Sequence, residues 1–193
     1  MVRSQGFKAI VIGVSTGGVE TLKQLLGALP KDFSLPLIIV MHISPGSGTG
    51  MAELLDETCN IHVKEADEQE LPVGGTVYLA PADYHLMVEP DRRLGLSTDP
   101  PINYARPSVD VLFETAAEAF GNGLIGVILT GAGTDGSRGL KRIKEMGGVT
   151  VVQNPEDAAA NSMPSNAIMA VTPDYILALA DLPQLFINLL KGE

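Results

Sequence analysis

Three residues of this sequence have the side chains that a serine hydrolase needs, and each follows a short apolar segment. Ser15 lies in a glycine-rich turn over residues 13–18, His42 follows the apolar segment 37–40, and Asp135 lies in a glycine-rich turn over residues 130–136. A serine hydroxyl becomes a useful nucleophile when a histidine lies within about 2.6–3.2 Å, and a carboxylate on the other ring nitrogen orients that histidine. The pattern predicts acyl transfer, with Ser15 as nucleophile, His42 as general base and Asp135 as the group that orients His42.

Each residue also has a simpler interpretation when it is considered alone. A serine between a strand and a helix is more often a helix cap or part of a phosphate-binding loop than a nucleophile. A lone histidine at a strand end is more often a polar terminus, and Asp135 is also suited to cap a helix that begins near residue 137. The combination favours catalysis, because a parallel sheet brings the carboxyl ends of its strands to one edge, where ligand sites form.

Other chemistries fit the sequence less well. The order Ser, His, Asp differs from the Ser, Asp or Glu, His order of α/β-hydrolases, although residues 13–17 match Gly-x-Ser-x-Gly formally. Residues 13–18 are not Gly-x-Gly-x-x-Gly and no Walker lysine is present, which disfavours dinucleotide and nucleoside triphosphate binding. The histidines His42, His62 and His85 are dispersed and form no ligand set, so we expect neither a metal nor a cofactor.

Short apolar segments alternate with amphipathic segments along the chain. The predicted strands cover residues 8–12, 37–40, 61–63, 76–79, 126–130, 149–152 and 175–178. The predicted helices cover residues 19–29, 49–58, 108–120, 138–146, 164–169 and 182–191. Continuous apolar strands between helices are typical of a parallel sheet covered on both faces. The sequence therefore predicts an α/β protein with a three-layer αβα, mostly parallel, doubly wound (Rossmann-like) sheet, a small hairpin over 84–96, and a single domain over 1–193.

Composition limits the function classes further. The chain has 193 residues, is 45% hydrophobic and carries a formal net charge of -10, which suits a globular protein and argues against nucleic-acid binding. Its single cysteine, Cys59, is expected to be a structural thiol, and the sequence has neither a signal peptide pattern nor an apolar run of about 18 residues. We therefore expect a cytoplasmic protein that does not insert into a membrane.

Several segments together resemble the catalytic domain of the chemotaxis protein-glutamate methylesterases. The segments that carry the resemblance are residues 12–18, His42 with Pro45-Gly46, residues 106–113, residues 127–136, and Met163-Pro164. The resemblance covers about residues 7–190. It implies a parallel αβα sheet and hydrolysis of γ-glutamyl methyl esters on the helical cytoplasmic part of chemoreceptors, with release of methanol. Some members of that family also deamidate receptor glutamines, and the resemblance extends to this second activity.

The resemblance assigns Ser15, His42 and Asp135 the same three catalytic roles. The further oxyanion or substrate-binding positions that it implies are Thr16, Gly17, His85, Ala132 and Gly133. The family usually has methionine where this chain has Ala132, which changes the wall of the expected pocket but leaves the backbone amide in place.

The expected partners follow from the same resemblance. The first is a methyl-accepting chemotaxis receptor. The second is a phosphorylatable receiver domain in cis or in trans, because family members usually begin with such a domain and this chain begins at the first strand of the esterase. Two other functions stay open at this point: a non-catalytic module that binds a phosphate or nucleotide at residues 13–18, and a receptor scaffold with an inactive site.

Overall fold

The computed structural model describes residues 6–42 and 50–192, in which seven parallel strands form one sheet. The strands are β1 (Ala9–Val14), β2 (Leu37–Met41), β3 (His62–Glu65), β4 (Thr76–Leu79), β7 (Leu124–Ile128), β8 (Val149–Gln153) and β9 (Tyr175–Leu177). Their order across this sheet is β3-β4-β2-β1-β7-β8-β9. The hairpin strands are β5 (His85–Val88) and β6 (Leu94–Ser97), which pair antiparallel in a second sheet.

The described residues contain six α-helices, of which five lie between strands and the sixth follows β9. Their bounds are α1 (Gly18–Gly27), α2 (Met51–Thr58), α3 (Val109–Phe120), α4 (Ser137–Glu145), α5 (Ser162–Ala170) and α6 (Leu182–Lys191). The fold class predicted from the sequence, including the hairpin, is confirmed. None of the helices in residues 6–42 and 50–192 is long and apolar enough to cross a membrane.

The strands at the centre of the sheet are buried because both faces of the sheet are covered. Every residue of β1, β2 and β7 is buried. Ile10 and Ile12 of β1 pack into a core with α1 and α6, while Ala9 and Val11 pack into a second core with α3, α4 and α5. This alternation explains why the strands are continuously apolar in sequence.

The strand order reverses direction around β1, and this reversal creates the site. β1 pairs with β2 on one side and with β7 on the other, so the chain segments that follow these three strands emerge together. In open parallel sheets such a reversal leaves a crevice at the carboxyl edge. The turns that carry Ser15, His42 and Asp135 all lie at this edge.

Candidate active site

Backbone hydrogen bonds continue past the ends of the strands and place Ser15 beside His42. Val14 is the Cα partner of Met41 at the end of the β1–β2 pair. The His42 amide donates to the Val14 carbonyl at 3.0 Å, and the Ser15 amide donates to the Thr130 carbonyl beyond β7 at 2.9 Å. The end of β1 is thus held on both sides, and the three predicted segments meet there.

His42 and Asp135 form the direct contact that the sequence predicted. His42 Nε2 lies 2.7 Å from Asp135 Oδ2, between residues 93 positions apart in the chain. An ionised carboxylate only accepts hydrogen bonds, so Nε2 donates to Asp135, and in the neutral imidazole the lone pair is then on Nδ1. A neutral imidazole with one free nitrogen is the state that a general base requires.

Ser15 shares a shallow pocket with His42. This pocket has a volume of about 180 Å³ and is lined by residues of the turn after β1, the end of β2 and Met51 of α2. Within the part of the chain that the structure describes, Ser15 Oγ makes no hydrogen bond, so its pairing with His42 Nδ1 stays a prediction. Ser15 and His42 both line this pocket, as the prediction requires.

Asp135 is held by the start of α3. It is 4% exposed, and it accepts hydrogen bonds from Ser108 Oγ at 2.9 Å, the Val109 amide at 2.7 Å and the Asp110 amide at 2.9 Å. The simpler interpretation, in which Asp135 caps its own following helix, is wrong, because α4 begins after Gly136 without a side-chain cap. The carboxylate caps α3 instead and still reaches His42.

These contacts keep Asp135 ionised. Burial alone would raise its pKa, but the hydrogen bonds from His42 and from the Asp110 and Val109 amides outweigh burial and hold the pKa below its usual value. The positive end of a helix dipole acts in the same direction. Asp135 can therefore orient His42 and stabilise the imidazolium that forms when His42 accepts a proton.

Two glycines allow α3 to approach closely enough for this contact. A Cβ on Gly13 would overlap the Val109 side chain, and a Cβ on Gly136 would lie 2.7 Å from Val109 Cγ1. Gly136 also has a φ of 92°, in the left-handed region that favours glycine. The first residue of α3 therefore packs into a hollow that only glycines leave open.

At the predicted oxyanion positions, some backbone amides are available to bind a substrate and others already donate to another residue. The amides of Thr16, Gly17 and Ala132 donate to no acceptor within residues 6–42 and 50–192. Thr130 Oγ1 donates to the Thr16 carbonyl at 2.9 Å and so fixes this turn. The Gly133 amide, predicted as a further contact, donates instead to Ser162 Oγ at 3.0 Å.

His85 lies outside the pocket that Ser15 lines. It is 2% exposed, and its Nδ1 accepts from the Ser108 amide while its Nε2 donates to the Pro100 carbonyl, both at 3.2 Å. These bonds require a neutral imidazole. They make His85 a support for the segment that enters α3, and the substrate contact that the resemblance implied for it stays a prediction.

A larger pocket on the other side of His42 was not predicted. It has a volume of about 420 Å³, and residues 101–107 form much of its wall, with Met41 and His42 shared between the two pockets. Asn103 and Tyr104 have φ values of 51° and 64° in a two-residue turn, and the Tyr104 side chain is fully exposed. The asparagine was the one sequence signal for this turn, because asparagine tolerates left-handed conformations.

The remaining side chains of interest are basic, thiol and histidine groups. Arg106 lines the larger pocket, whereas Arg92 packs over the Phe120 ring and Arg93 donates to the Gln69 carbonyl. Cys59 is half-buried, and burial raises the pKa of its thiol. His62 is the first residue of β3, is exposed and contacts Asp56.

The fold and the site together define a class: an αβα protein with a serine-hydrolase type of site at the carboxyl edge of its parallel sheet. Comparison with known proteins identifies the family. Residues 10–186 match the CheB methylesterase family, and the chain belongs to this family. Across residues 6–42 and 50–192 we find no group of three or more His, Cys, Asp or Glu side chains arranged to hold a metal ion.

Similar proteins support the same assignment over the whole length. Two proteins of Leptospira interrogans with the provisional name protein-glutamate methylesterase/protein-glutamine glutaminase are 49% identical over 183 residues, which covers 95% of this chain and of theirs. The protein-glutamate methylesterase FrzG of Myxococcus xanthus is 39% identical over 174 residues, 90% of this chain but 52% of FrzG. The crystal structure of the Thermotoga maritima CheB methylesterase catalytic domain matches with a TM-score of 0.91 and 36% identity, covering 95% of this chain and 98% of that one.

Proposed function

We propose that this chain hydrolyses γ-methyl esters of glutamate side chains on methyl-accepting chemoreceptors, giving glutamate and methanol, with Ser15 as the nucleophile. The observation that supports this most strongly is the His42–Asp135 contact at 2.7 Å beside Ser15. The available amides of Thr16 and Ala132 and the membership of the CheB methylesterase family support it further.

The proposed reaction has two halves. In the first, His42 Nδ1 takes the proton of Ser15 Oγ as the oxygen attacks the ester carbonyl carbon, and the Thr16 and Ala132 amides stabilise the oxyanion. The C–O bond to the methoxy group then breaks, and methanol leaves with the proton from His42. In the second half, water attacks the acyl-enzyme, His42 takes a proton from this water, and Ser15 leaves with that proton to release glutamate.

The same acyl-enzyme would form from a glutamine side chain. In that case ammonia replaces methanol as the leaving group, and the remaining steps are unchanged. Relatives such as that of Clostridium acetobutylicum, 35% identical over 191 residues, carry the name protein-glutamine glutaminase beside protein-glutamate methylesterase. We therefore include deamidation of receptor glutamines in the proposed activity.

The partners belong to the same proposal. The substrate is the helical cytoplasmic part of a chemoreceptor, which places the activity in the cytoplasm. A receiver domain, in cis or in trans, is the proposed regulator. FrzG is about twice as long as the matched region, so relatives exist in which this catalytic domain is joined to further sequence.

The two other functions make different demands on the site. A phosphate- or nucleotide-binding module needs only the open amides of residues 13–18, and an inactive scaffold needs none of the catalytic groups. Neither requires Asp135 to be ionised and bonded to His42. The His42–Asp135 contact therefore favours the hydrolase.

Replacing Ser15 tests the proposal. We predict that Ser15→Ala lowers methanol release from methylated receptor membranes by about 10³-fold or more, because the nucleophile is lost. The circular dichroism spectrum and Tm should stay those of the wild type. Ser34→Ala, at an exposed serine that precedes β2 at the amino edge of the sheet, is the matched control and should keep full activity. Near-full activity of Ser15→Ala would show that the assignment is wrong.

A further inference from the structure

A second buried carboxylate, Asp110, lies next to Asp135. Asp110 is the second residue of α3 and is 2% exposed. Its Oδ1 accepts from the Gly136 amide at 3.0 Å and from the Gly139 amide at 2.8 Å, at the start of α4. Asp110 therefore satisfies two backbone donors that have no partner within their own helix.

The two carboxylates cap each other's helices. Asp135, which precedes α4, accepts the Asp110 amide at the start of α3, while Asp110 accepts the Gly136 amide at the start of α4. We call this reciprocal arrangement of Asp110 and Asp135 the carboxylate clasp. It joins the start of α3 to the start of α4, beside the turn after β7 that carries Asp135.

We propose that Asp110 is a positioning residue for ester hydrolysis: by holding the Gly136 amide, it fixes the turn from which Asp135 reaches His42. The inference rests on the proposed function. Gly136 is the residue directly after Asp135, so any movement of its peptide moves the Asp135 carboxylate. A displacement of about 1 Å in a catalytic group lowers rates by about 10²-fold.

The charges within the carboxylate clasp support a role beyond stability. Burial raises the pKa of Asp110, and the nearby Asp135 raises it further, although the Gly139 amide opposes this. The pKa of Asp135 is shifted the other way, below its usual value. Two adjacent buried carboxylates repel each other, and this repulsion lowers the stability of the fold. Stability alone therefore does not account for their placement, whereas the orientation of Asp135 does.

The larger pocket is tied to the same residue. Asn103 Nδ2, from the turn at the pocket rim, donates to Asp110 Oδ2 at 3.3 Å. Asp110 thus contacts the rim of this pocket through one oxygen and the Asp135 turn through the other. Because the two oxygens make different contacts, this connection gives Asp110 a second role besides capping α4.

Replacing Asp110 with alanine gives the first test. We predict that Asp110→Ala lowers kcat for methanol release by about 10²-fold and changes KM by less than about twofold, because orientation is lost and substrate contacts remain. The matched control is Asp174→Ala, which also removes a carboxylate that accepts a backbone amide but lies at the amino edge of the sheet. The control should lose stability and keep kcat per folded molecule.

A double-mutant cycle with Asp135 separates positioning from general stabilisation. If Asp110 acts through Asp135, then Asp110→Ala has no further effect on kcat once Asp135 is alanine, whereas independent effects multiply. Asp135→Ala is expected to lower kcat by about 10⁴-fold, so the cycle is measured with radiolabelled methyl groups on the receptor. Multiplying effects, or equal kcat values for Asp110→Ala and Asp174→Ala, would overturn the proposal.

A conservative variant covers the case in which Asp110→Ala does not fold. Asp110→Asn keeps an oxygen that can accept from the Gly136 and Gly139 amides but loses the charge that strengthens these bonds, so we expect a smaller loss of about 10-fold in kcat. That loss should also vanish when Asp135 is alanine. An unchanged kcat, or a loss that persists in that background, would overturn the positioning role. An inactive wild type would instead refute the proposed function itself.

Discussion

At the scale of single residues, the distance between the turn after β7 and Ser15 leaves no room for a methyl group. A Cβ on Gly131 would lie 2.9 Å from Ser15 Cβ and 2.6 Å from Met163 Sδ. We predict that Gly131→Ala displaces Ser15, lowers kcat by about 10²-fold and lowers the free energy of unfolding by about 1–3 kcal/mol through overpacking. Urea unfolding and methanol release measure the two effects.

Gly27 offers the control for this substitution. It ends α1, and a Cβ there would have no neighbour within 4 Å. Gly27→Ala should keep full activity and raise the free energy of unfolding by up to about 1 kcal/mol, because alanine favours the helix. If Gly131→Ala were as active as Gly27→Ala, close packing against Ser15 would not matter for catalysis.

The sequence predicted which residues gather at the edge but not how they are held. Ser15, His42 and Asp135 were found because each follows a strand, and strand ends are visible in local sequence. The capping of α3 by Asp135 was not visible, because it depends on how α3 packs across the sheet, 25 to 27 residues away in the chain. Asp110 was missed for the same reason, since an aspartate in a first helical turn looks like an ordinary helix-dipole contact.

At the scale of secondary-structure elements, strands and helices were predictable and some of their ends were not. The strand predicted over 126–130 is β7, which ends at Ile128. Leu129 and Thr130 are fully buried although they lie beyond the strand, so burial continues past the last residue of β7. The rim of the larger pocket was not predictable, because its conformation depends on the left-handed Asn103 and Tyr104 and on the His85 contact with Pro100.

Asp174 joins three elements and predicts how stability depends on pH. It accepts from Thr150 N and Thr150 Oγ1 of β8, both at 2.8 Å, and pairs with Lys144 of α4 just before β9. Burial would raise its pKa, but the bonds from Lys144 and Thr150 outweigh burial and lower it. A lowered folded-state pKa means that the stabilisation is complete above the unfolded-state pKa and is lost as pH falls through the folded value.

We therefore expect wild type to lose more free energy of unfolding than Asp174→Asn between about pH 5 and pH 2. Urea unfolding at several pH values in this window measures the difference. The two proteins should have parallel pH profiles above about pH 6, where an aspartate is ionised in both the folded and unfolded states. A wild-type profile as flat as that of Asp174→Asn would contradict the assigned contacts.

At the scale of the whole molecule, the site lies where two separate cores meet the same sheet edge. One core lies under α1 and α6 and the other under α3, α4 and α5. Ser15 begins the turn that leads into α1, whereas Asp135 is fixed by α3. The geometry of the proposed site therefore depends on both faces of the sheet at once, so we expect it to form only when the whole αβα structure has folded.

The net charge of -10 predicts how the whole molecule meets its substrate. Much of the positive charge in the described residues is already paired: Lys64, Arg138, Arg142 and Lys144 all contact acidic side chains. A receptor segment that carries glutamates is acidic as well, so the two partners repel at long range. Salt screens such repulsion within about 10 Å at 0.1 M ionic strength, and we therefore predict that kcat/KM for receptor methyl esters rises with added salt. A small neutral ester is the control, and its kcat/KM should not change. A receptor kcat/KM that falls with salt would contradict this prediction and would instead indicate docking through a local basic surface such as that around Arg106.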